Sequence, residues 1–164
     1  MVSASTSDVR NAIEHIVYGY AACVDAGDFD GVAELFAYAR YKGGGPDDPG
    51  VVGSEPVLQI LETMVRRYDD GTPRTKHVTT NLIIDADDGA ERATAQSYYT
   101  VLQQLDGFAL QPIIAGRYHD AFERVDGVWR LNERVIFCDL VGDLSQHLTV
   151  DPFAGSETGS SAGA

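Results

Sequence analysis

The spacing of apolar residues along the chain predicts helices in the first half and strands in the second. Between residues 8 and 27, apolar side chains recur every three or four positions, which predicts a first helix. The same spacing predicts a short second helix capped by Asp28 and a third helix capped by Ser54. Glycine, proline and aspartate fill residues 43–50, so a loop is predicted between the second and third helices.

After residue 75 the pattern changes to an alternation of polar and apolar positions, rich in β-branched residues, which predicts strands. Turn signals such as Asp126–Gly127 separate these segments. The predicted strands cover residues 76–86, 92–104, 113–125 and 128–140. Three helices followed by four hairpin-linked strands predict an α+β fold, with the helices packed on a curved, mainly antiparallel sheet.

The chain is predicted to form a single domain over residues 8–150. Its 164 residues match the usual size of one domain, and no internal repeat is visible. Residues 1–7 are small and polar, and are predicted to be a flexible N-terminus. Glycine, serine and alanine dominate residues 151–164, which predicts a disordered, low-complexity tail.

Charge and composition narrow the possible partners and the compartment. The net charge is −13, so binding to nucleic acid or to an anionic membrane is not expected. No apolar stretch approaches the roughly 20 residues needed to span a bilayer, and no signal peptide is visible. A cytoplasmic protein is therefore expected, with its two cysteines as reduced thiols.

The first predicted strand carries a row of polar side chains. Strict alternation places His77, Thr79 and Asn81 on one face and apolar residues such as Val78 and Leu82 on the other. The polar row either faces solvent or forms the polar wall of a cavity, as in ligand pockets that combine apolar walls with a few placed polar groups.

The first helix supplies further candidates. Tyr20 lies on the apolar stripe, and Asp25 follows near the end of the helix. Five residues subtend about 500° on an ideal helix, so these two side chains face one pocket only if the last turn is distorted. Tyr18 is better aligned with Asp25 and is the alternative tyrosine.

Other polar residues of the strands have two interpretations each. His119 is either a paired surface histidine or a catalytic one, and Arg134 either forms a salt bridge across the sheet or anchors a substrate. Tyr98 is a further substrate-binding candidate, while His15 and His147 are interpreted as structural. Metal-ligand spacings and phosphate-binding loops are absent from the sequence, so neither a metal nor another cofactor is expected.

Three segments resemble a known family. They are residues 20–37 (YAACVDAGDFDGVAELFA), 75–85 (TKHVTTNLIID) and 116–136 (GRYHDAFERVDGVWRLNERVI). They are similar to motifs of the SnoaL-like branch of the nuclear transport factor 2-like superfamily, which includes polyketide cyclases, scytalone dehydratase-like enzymes and bile-acid dehydratases. The resemblance covers about residues 8–148 and implies a cone-shaped α+β barrel.

The resemblance also implies a set of catalytic residues. In the dehydratases of this group a tyrosine and an aspartate from the first helix region act with a histidine from the first long strand, which correspond here to Tyr20, Asp25 and His77. Scytalone dehydratase-like members use a second histidine from a later strand, and His119 is the candidate for it.

The leading hypothesis is a cofactor-independent lyase or isomerase that acts on a small cyclic or polyketide-like carbonyl compound. It could be a dehydratase, an isomerase similar to ketosteroid isomerase, or a cyclase. His77 would abstract a proton, Asp25 would orient it, and Tyr20 would hydrogen-bond to the enolate oxygen.

The alternative hypothesis is a non-catalytic carrier of a small hydrophobic or aromatic ligand, or an interaction subunit like the small subunit of ring-hydroxylating dioxygenases. A homodimer or homotrimer is expected in either case, because one face of a long sheet has to be covered. Alternation places Trp129 and Phe137 together on the strand face that would meet the partner.

Overall fold

The computed structural model describes residues 6–87 and 89–150, and in them three helices precede a sheet of long strands. The helices are α1 (Thr6–Ala26), α2 (Phe29–Leu35) and α3 (Ser54–Met64). The strands are β1 (Arg40–Lys42), β2 (Val51–Val52), β3 (Thr75–Asp85), β4 (Arg92–Leu105), β5 (Phe108–Val125) and β6 (Val128–Val141). The predicted tail at 151–164 and residues 1–5 lie outside the described residues.

The sheet confirms the predicted α+β class. Its strand order is β2-β1-β6-β5-β4-β3, and every neighbouring pair is antiparallel except β1 and β6, which run parallel. The sheet is not closed into a barrel, because β2 and β3 are its two edges. Helix α1 packs against β3 and β6, and α2 packs against α3. An open-mouthed cavity lies between the helices and the inner face of the sheet.

One buried stripe of apolar side chains fixes the position of helix α1. Val9, Ile13, Val17 and Val24 are almost fully buried, at the spacing of an amphipathic helix. Burying each such side chain stabilises the fold by about 1.5–3 kcal/mol. The helix ends before Gly27, whose φ of +72° and close approach to the backbone of Gly71 leave no room for a Cβ.

The helix starts differ from the prediction in two places. Helix α1 already includes Thr6 and Ser7, which were assigned to a flexible N-terminus. Asp28 caps α2 as predicted, since its Oδ1 accepts the N–H of Gly31 at 2.9 Å. The N-cap of α3 is Gly53 rather than Ser54, because the φ of 97° at Gly53 is a conformation that favours glycine.

Two short strands flank the predicted loop and were not foreseen. They contain only three and two residues, too few for alternation to identify them. The loop itself is confirmed at residues 43–50, where the Asp48 carboxylate accepts the backbone N–H groups of Gly44 and Gly50, both at 2.8 Å. Pairing of β1 with β6 holds this loop at the mouth of the cavity.

A bulge in β3 changes which residues face inward. His77 and Thr79 lie on the inner face, but the register shifts between Thr80 and Ile83, so Leu82 also faces inward. Asn81 adopts a left-handed φ of 53° at this bulge and is exposed. The prediction that Asn81 shares a face with His77 is therefore wrong, because one extra residue reverses the alternation.

A second bulge has the same consequence in β6. The pairing of β5 with β6 shifts between Ala121 and Phe122, and the inward positions of β6 change parity there. Trp129 is 9% exposed and belongs to the core, whereas Phe137 packs with His119 on the opposite face. The two aromatic residues do not form one surface, and the homo-oligomer stays a prediction.

Within the described residues, no helix combines the length and apolar character that crossing a membrane requires.

Candidate active site

The cavity between the helices and the sheet has a volume of about 980 Å³. This volume suits a ligand of one to three rings, at the upper end of the usual range for small-molecule sites. Apolar side chains supply much of the wall, among them Val24, Ile60, Leu61, Val101, Ile136 and Leu144. Six polar rings interrupt this apolar wall: Tyr20, Tyr41, His77, Tyr99, Tyr118 and His147.

Asp25 and His77 form a tightly connected pair at one side of the cavity. The Nδ1 of His77 lies 2.7 Å from Oδ1 of Asp25, and the backbone N–H of His77 donates to Oδ2 at 2.8 Å. The hydroxyl of Thr75 donates to the same carboxylate at 2.8 Å. The side chains of His77 and Asp25 are only 7% and 11% exposed, so three donors fix a largely buried carboxylate.

These contacts determine the charge of Asp25 and the tautomer of His77. Burial alone raises the pKa of Asp25, but the hydrogen bonds and charge of His77, with the Thr75 hydroxyl, outweigh it and hold the pKa below its ordinary value. An ionised carboxylate only accepts hydrogen bonds, so Nδ1 of His77 carries the proton. In the neutral form of this tautomer the lone pair is on Nε2, and the ring lines the cavity.

The geometry of α1 resolves the choice between the two tyrosines. Tyr20 is 6% exposed and lines the cavity, whereas Tyr18 is 44% exposed and lies outside it. Helix α1 remains regular through Asp25. No distorted turn is needed, because Asp25 contacts β3 and reaches the cavity only through His77.

The tyrosines of the cavity are neutral hydrogen-bonding groups. Burial raises the pKa values of Tyr20, Tyr41 and Tyr118 above the ordinary value for tyrosine. The charge of Arg134 and a contact with Tyr41 lower the pKa of Tyr20, but by less than burial raises it. All three phenols therefore keep their protons near neutral pH and can donate to a ligand oxygen.

Arg134 forms a buried salt bridge with Asp120 and is not part of the cavity wall. Its Nε and Nη2 donate to the two carboxylate oxygens of Asp120, each at 2.7 Å, and both side chains are 1% exposed. The guanidinium carbon lies 4.3 Å from the ring centroids of both Tyr20 and Tyr118. The salt bridge across the sheet is thus present, and Arg134 supports two tyrosines from behind.

Four other predicted site residues are not brought to the cavity. Tyr98 is 52% exposed and, like Asn81 and Tyr18, lies at the surface. His119 is on the face of the sheet opposite to Tyr118 and packs against Phe137, with ring centroids 4.6 Å apart. His119 is therefore not the second histidine of this cavity.

Thr79 lies on the same face of β3 as His77 but is not part of the cavity wall. Its Oγ1 is buried without a hydrogen-bond partner in the described structure.

His147 is the residue that the sequence interpretation missed. It was taken as structural because it has no partner nearby in sequence, yet it lines the same cavity as His77 and is 7% exposed. Tyr41 was missed because it lies in the unforeseen strand β1. The sequence signal for His147 was a histidine just beyond the last long strand, where a chain leaving the sheet can fold back over it.

Among residues 6–87 and 89–150, no group of three or more His, Cys, Asp or Glu side chains is placed to hold a metal ion. The polar part of the cavity wall includes phenolic hydroxyls and imidazoles, groups that can bind and transfer protons. The expectation that the protein needs no cofactor stays a prediction.

A comparison with models of protein families identifies the family of the chain. A model of the SnoaL-like domain matches residues 5–135. The chain belongs to the SnoaL-like family. This family includes polyketide cyclases and dehydratases, in agreement with the resemblance in the sequence motifs. No curated protein matches the chain in sequence.

Solved structures show the same fold at low sequence identity. A protein of unknown function with a cystatin-like fold from Nostoc punctiforme has a TM-score of 0.68 at 21% identity, covering 87% of this chain and 99% of that one. A candidate scytalone dehydratase from Novosphingobium aromaticivorans has a TM-score of 0.62 at 21% identity, covering 82% and 87%. The beta subunit of a candidate aromatic-ring-hydroxylating dioxygenase from the same organism has a TM-score of 0.64 at 18% identity, covering 82% and 92%.

Proposed function

We propose that the protein is a cofactor-independent lyase that removes water from a small cyclic β-hydroxy ketone. The observation that carries this proposal is the Asp25–His77 pair, whose imidazole lines a cavity of about 980 Å³ together with neutral tyrosines. A protein that only held a ligand would not need a buried carboxylate fixed by three donors behind an imidazole.

His77 is the base in this mechanism. Its Nε2 takes a proton from the carbon beside the ligand carbonyl, and the electron pair of that C–H bond moves onto the carbonyl oxygen as an enolate. Asp25 accepts the Nδ1–H of the ring throughout and stabilises the imidazolium that forms. Histidine suits this role because its ordinary pKa lies near neutral pH.

Tyr20 and Tyr41 are the groups that stabilise the enolate. Both line the cavity and keep their protons, because burial raises the pKa of each; Tyr41 donates to the hydroxyl of Tyr20, and Tyr20 donates to the enolate. A positioned donor of this kind contributes about 3–4 kcal/mol to the transition state. Arg134 adds positive charge behind Tyr20 without touching the ligand.

The second half of the reaction returns the proton. The enolate electrons form the new C=C bond, the C–O bond to the β-hydroxyl breaks, and the leaving oxygen takes the proton from the His77 imidazolium to depart as water. The carbonyl is restored and no cofactor is consumed. Proton abstraction followed by return to another carbon would give an isomerase, so the product identifies the reaction class.

The test uses 3-hydroxy-1-tetralone, a bicyclic β-hydroxy ketone whose dehydration and tautomerisation give the fluorescent 1-naphthol. We expect the wild type to accelerate naphthol formation, and His77→Gln to reduce the rate by about 10²–10⁴-fold, because an amide cannot take the proton. Asp25→Asn should reduce the rate over the same range, because an amide can hold the imidazole in the wrong tautomer.

The matched control is Asp28→Asn. Asp28 lies three residues beyond Asp25, but it caps α2 at the surface and an asparagine caps equally well. We expect this variant to keep the wild-type rate. If His77→Gln retained the wild-type rate, the mechanism would be wrong. If the wild type bound 1-naphthol but produced none from the tetralone, a ligand carrier would explain the cavity better.

A further inference from the structure

His147 is the second imidazole of the cavity, and its Nδ1 is buried without a hydrogen-bond partner in the described structure. The residue is 7% exposed, so bulk water does not satisfy this nitrogen. Buried polar atoms in folded proteins are nearly always paired, and an unpaired one calls for an explanation. The ring itself lines the cavity, so the imidazole is placed to contact a bound ligand.

The backbone on both sides of His147 is fixed. Its N–H donates to the carbonyl of Leu144 at 2.9 Å, and its carbonyl accepts the N–H of Arg66 at 2.8 Å. Leu148 forms a β-bridge with Val65, the residue that follows α3. The hydroxyl of Tyr68 also donates to the neighbouring carbonyl of Gln146 at 2.6 Å. The ring is therefore presented to the cavity by an anchored segment.

The surroundings of His147 define the ligand group that it can bind. Burial, and then the neighbouring His77 on β3, lower the pKa of His147 to about 4, while Asp25 on α1 raises it by less. The ring is neutral near pH 7 and offers one donor and one acceptor. Arg117, the cation on the cavity wall, is already paired with Asp139 at 2.8 Å. An uncharged oxygen matches this environment better than a carboxylate or an ammonium group.

We propose that His147 is a specificity-determining residue that binds a second, uncharged oxygen substituent of the ligand, separate from the oxygen held near His77 and Tyr20. This assignment rests on the proposed function for the class of ligand, a small oxygenated ring system. It predicts that the protein prefers ring compounds with two oxygens over those with one, and that His147 accounts for the preference.

The test measures binding of 1-naphthol and of 1,5-, 1,6- and 1,7-dihydroxynaphthalene by their own fluorescence. We expect at least one diol to bind the wild type about tenfold more tightly than 1-naphthol, as one well-placed hydrogen bond allows. His147→Leu should abolish this gain, so that the diol and 1-naphthol bind this variant with the same affinity. His147→Gln should retain part of the gain, because an amide both donates and accepts.

The control variant is His15→Leu, which changes an exposed histidine of α1 outside this cavity. It should bind all four compounds as the wild type does. A second measurement does not depend on any variant folding: the ¹⁵N signals of the His147 ring in the wild type should shift when the preferred diol saturates the protein.

Three outcomes would overturn the assignment: no diol binding more tightly than 1-naphthol, a gain that survives in His147→Leu, or unshifted ring signals at saturation. Failure of the proposed function gives a different result. In that case the wild type and His77→Gln form 1-naphthol from the tetralone at the same rate, while the dependence of diol binding on His147 persists.

Discussion

Two largely buried acid–base pairs, Asp25–His77 and Asp120–Arg134, contact the cavity wall, and they differ in what surrounds them. The Asp25–His77 pair has side chains 7–11% exposed, and its imidazole forms part of the cavity wall. The Asp120–Arg134 pair is 1% exposed on both sides and is covered by the rings of Tyr20 and Tyr118. The shortest separation in each pair is 2.7 Å.

The difference between the pairs lies in the base. Histidine can give up its proton near neutral pH, so a carboxylate behind it creates a group that exchanges protons with a ligand. Arginine stays charged, and although burial lowers the pKa of Arg134, the Asp120 carboxylate raises it above its ordinary value. The permanently charged guanidinium of Arg134 holds the tyrosine rings above it in place and does not transfer a proton. On the proposed function, the Asp25–His77 pair transfers protons, and the Asp120–Arg134 pair is a supporting pair beneath the tyrosines.

The largest loss of folding stability that we expect comes from removing one partner of the supporting pair. Arg134→Met leaves the Asp120 carboxylate buried without its partner, and this costs about 3–5 kcal/mol of folding free energy. Denaturant unfolding followed by circular dichroism measures it. The double variant Arg134→Met with Asp120→Asn removes both charges and should recover part of the loss. A single variant as stable as the wild type would show that the pair is not structural.

The order of the elements could be predicted from the sequence because burial follows a regular period over long segments. The stripe of α1 and the alternation along β4 and β5 each extend over more than ten residues, so the helices and long strands were found. The bulges could not be predicted from the sequence. One extra residue leaves the composition of a strand ordinary, but every side chain after it then faces the opposite side of the sheet. An asparagine within the strand pattern, Asn81, was a local hint, because asparagine tolerates the left-handed φ that it adopts at the bulge.

The candidate site could be predicted in part for the same reason. The partners Asp25 and His77 came from the family resemblance, and their contact is seen in the structure. His147 could not be predicted, because its place depends on how the chain turns back after β6 and pairs with Val65, a contact between residues 83 positions apart. Long-range pairing of this kind leaves no periodic trace in the sequence.

Acid should destabilise the fold through the buried imidazole of His147. The pKa of His147 is about 4 in the fold and 6.5 ordinarily, so the unfolded chain takes up a proton between these values that the native protein does not. The free energy of unfolding should therefore fall by up to about 3 kcal/mol as the pH drops from 6.5 to 4.

Unfolding midpoints at several pH values measure this loss, with His147→Gln as the variant in which the slope over this window disappears. His15→Leu should keep the slope. The lowered pKa of Asp25 acts in the same direction at lower pH: its contribution is present above the ordinary carboxyl pKa and is lost as the pH falls through the lower folded value. A slope unchanged in His147→Gln would assign the acid sensitivity to another group.

The smallest effect should come from a third pair that has the geometry of the supporting pair without its burial. Arg117 donates to both oxygens of Asp139, at 2.8 and 2.9 Å, but the two side chains are 41% and 39% exposed. Water and salt screen such a pair, and each partner left alone is solvated again.

We expect the free energy of unfolding of Arg117→Met to equal that of the wild type within experimental error, whereas Arg134→Met is strongly destabilised. Both variants make the same substitution in a bidentate arginine–carboxylate contact between β5 and β6, so the comparison tests how much the burial of the pair and its contacts with rings contribute. Equal losses in the two variants would mean that the rings of Tyr20 and Tyr118 do not shield Arg134 from water.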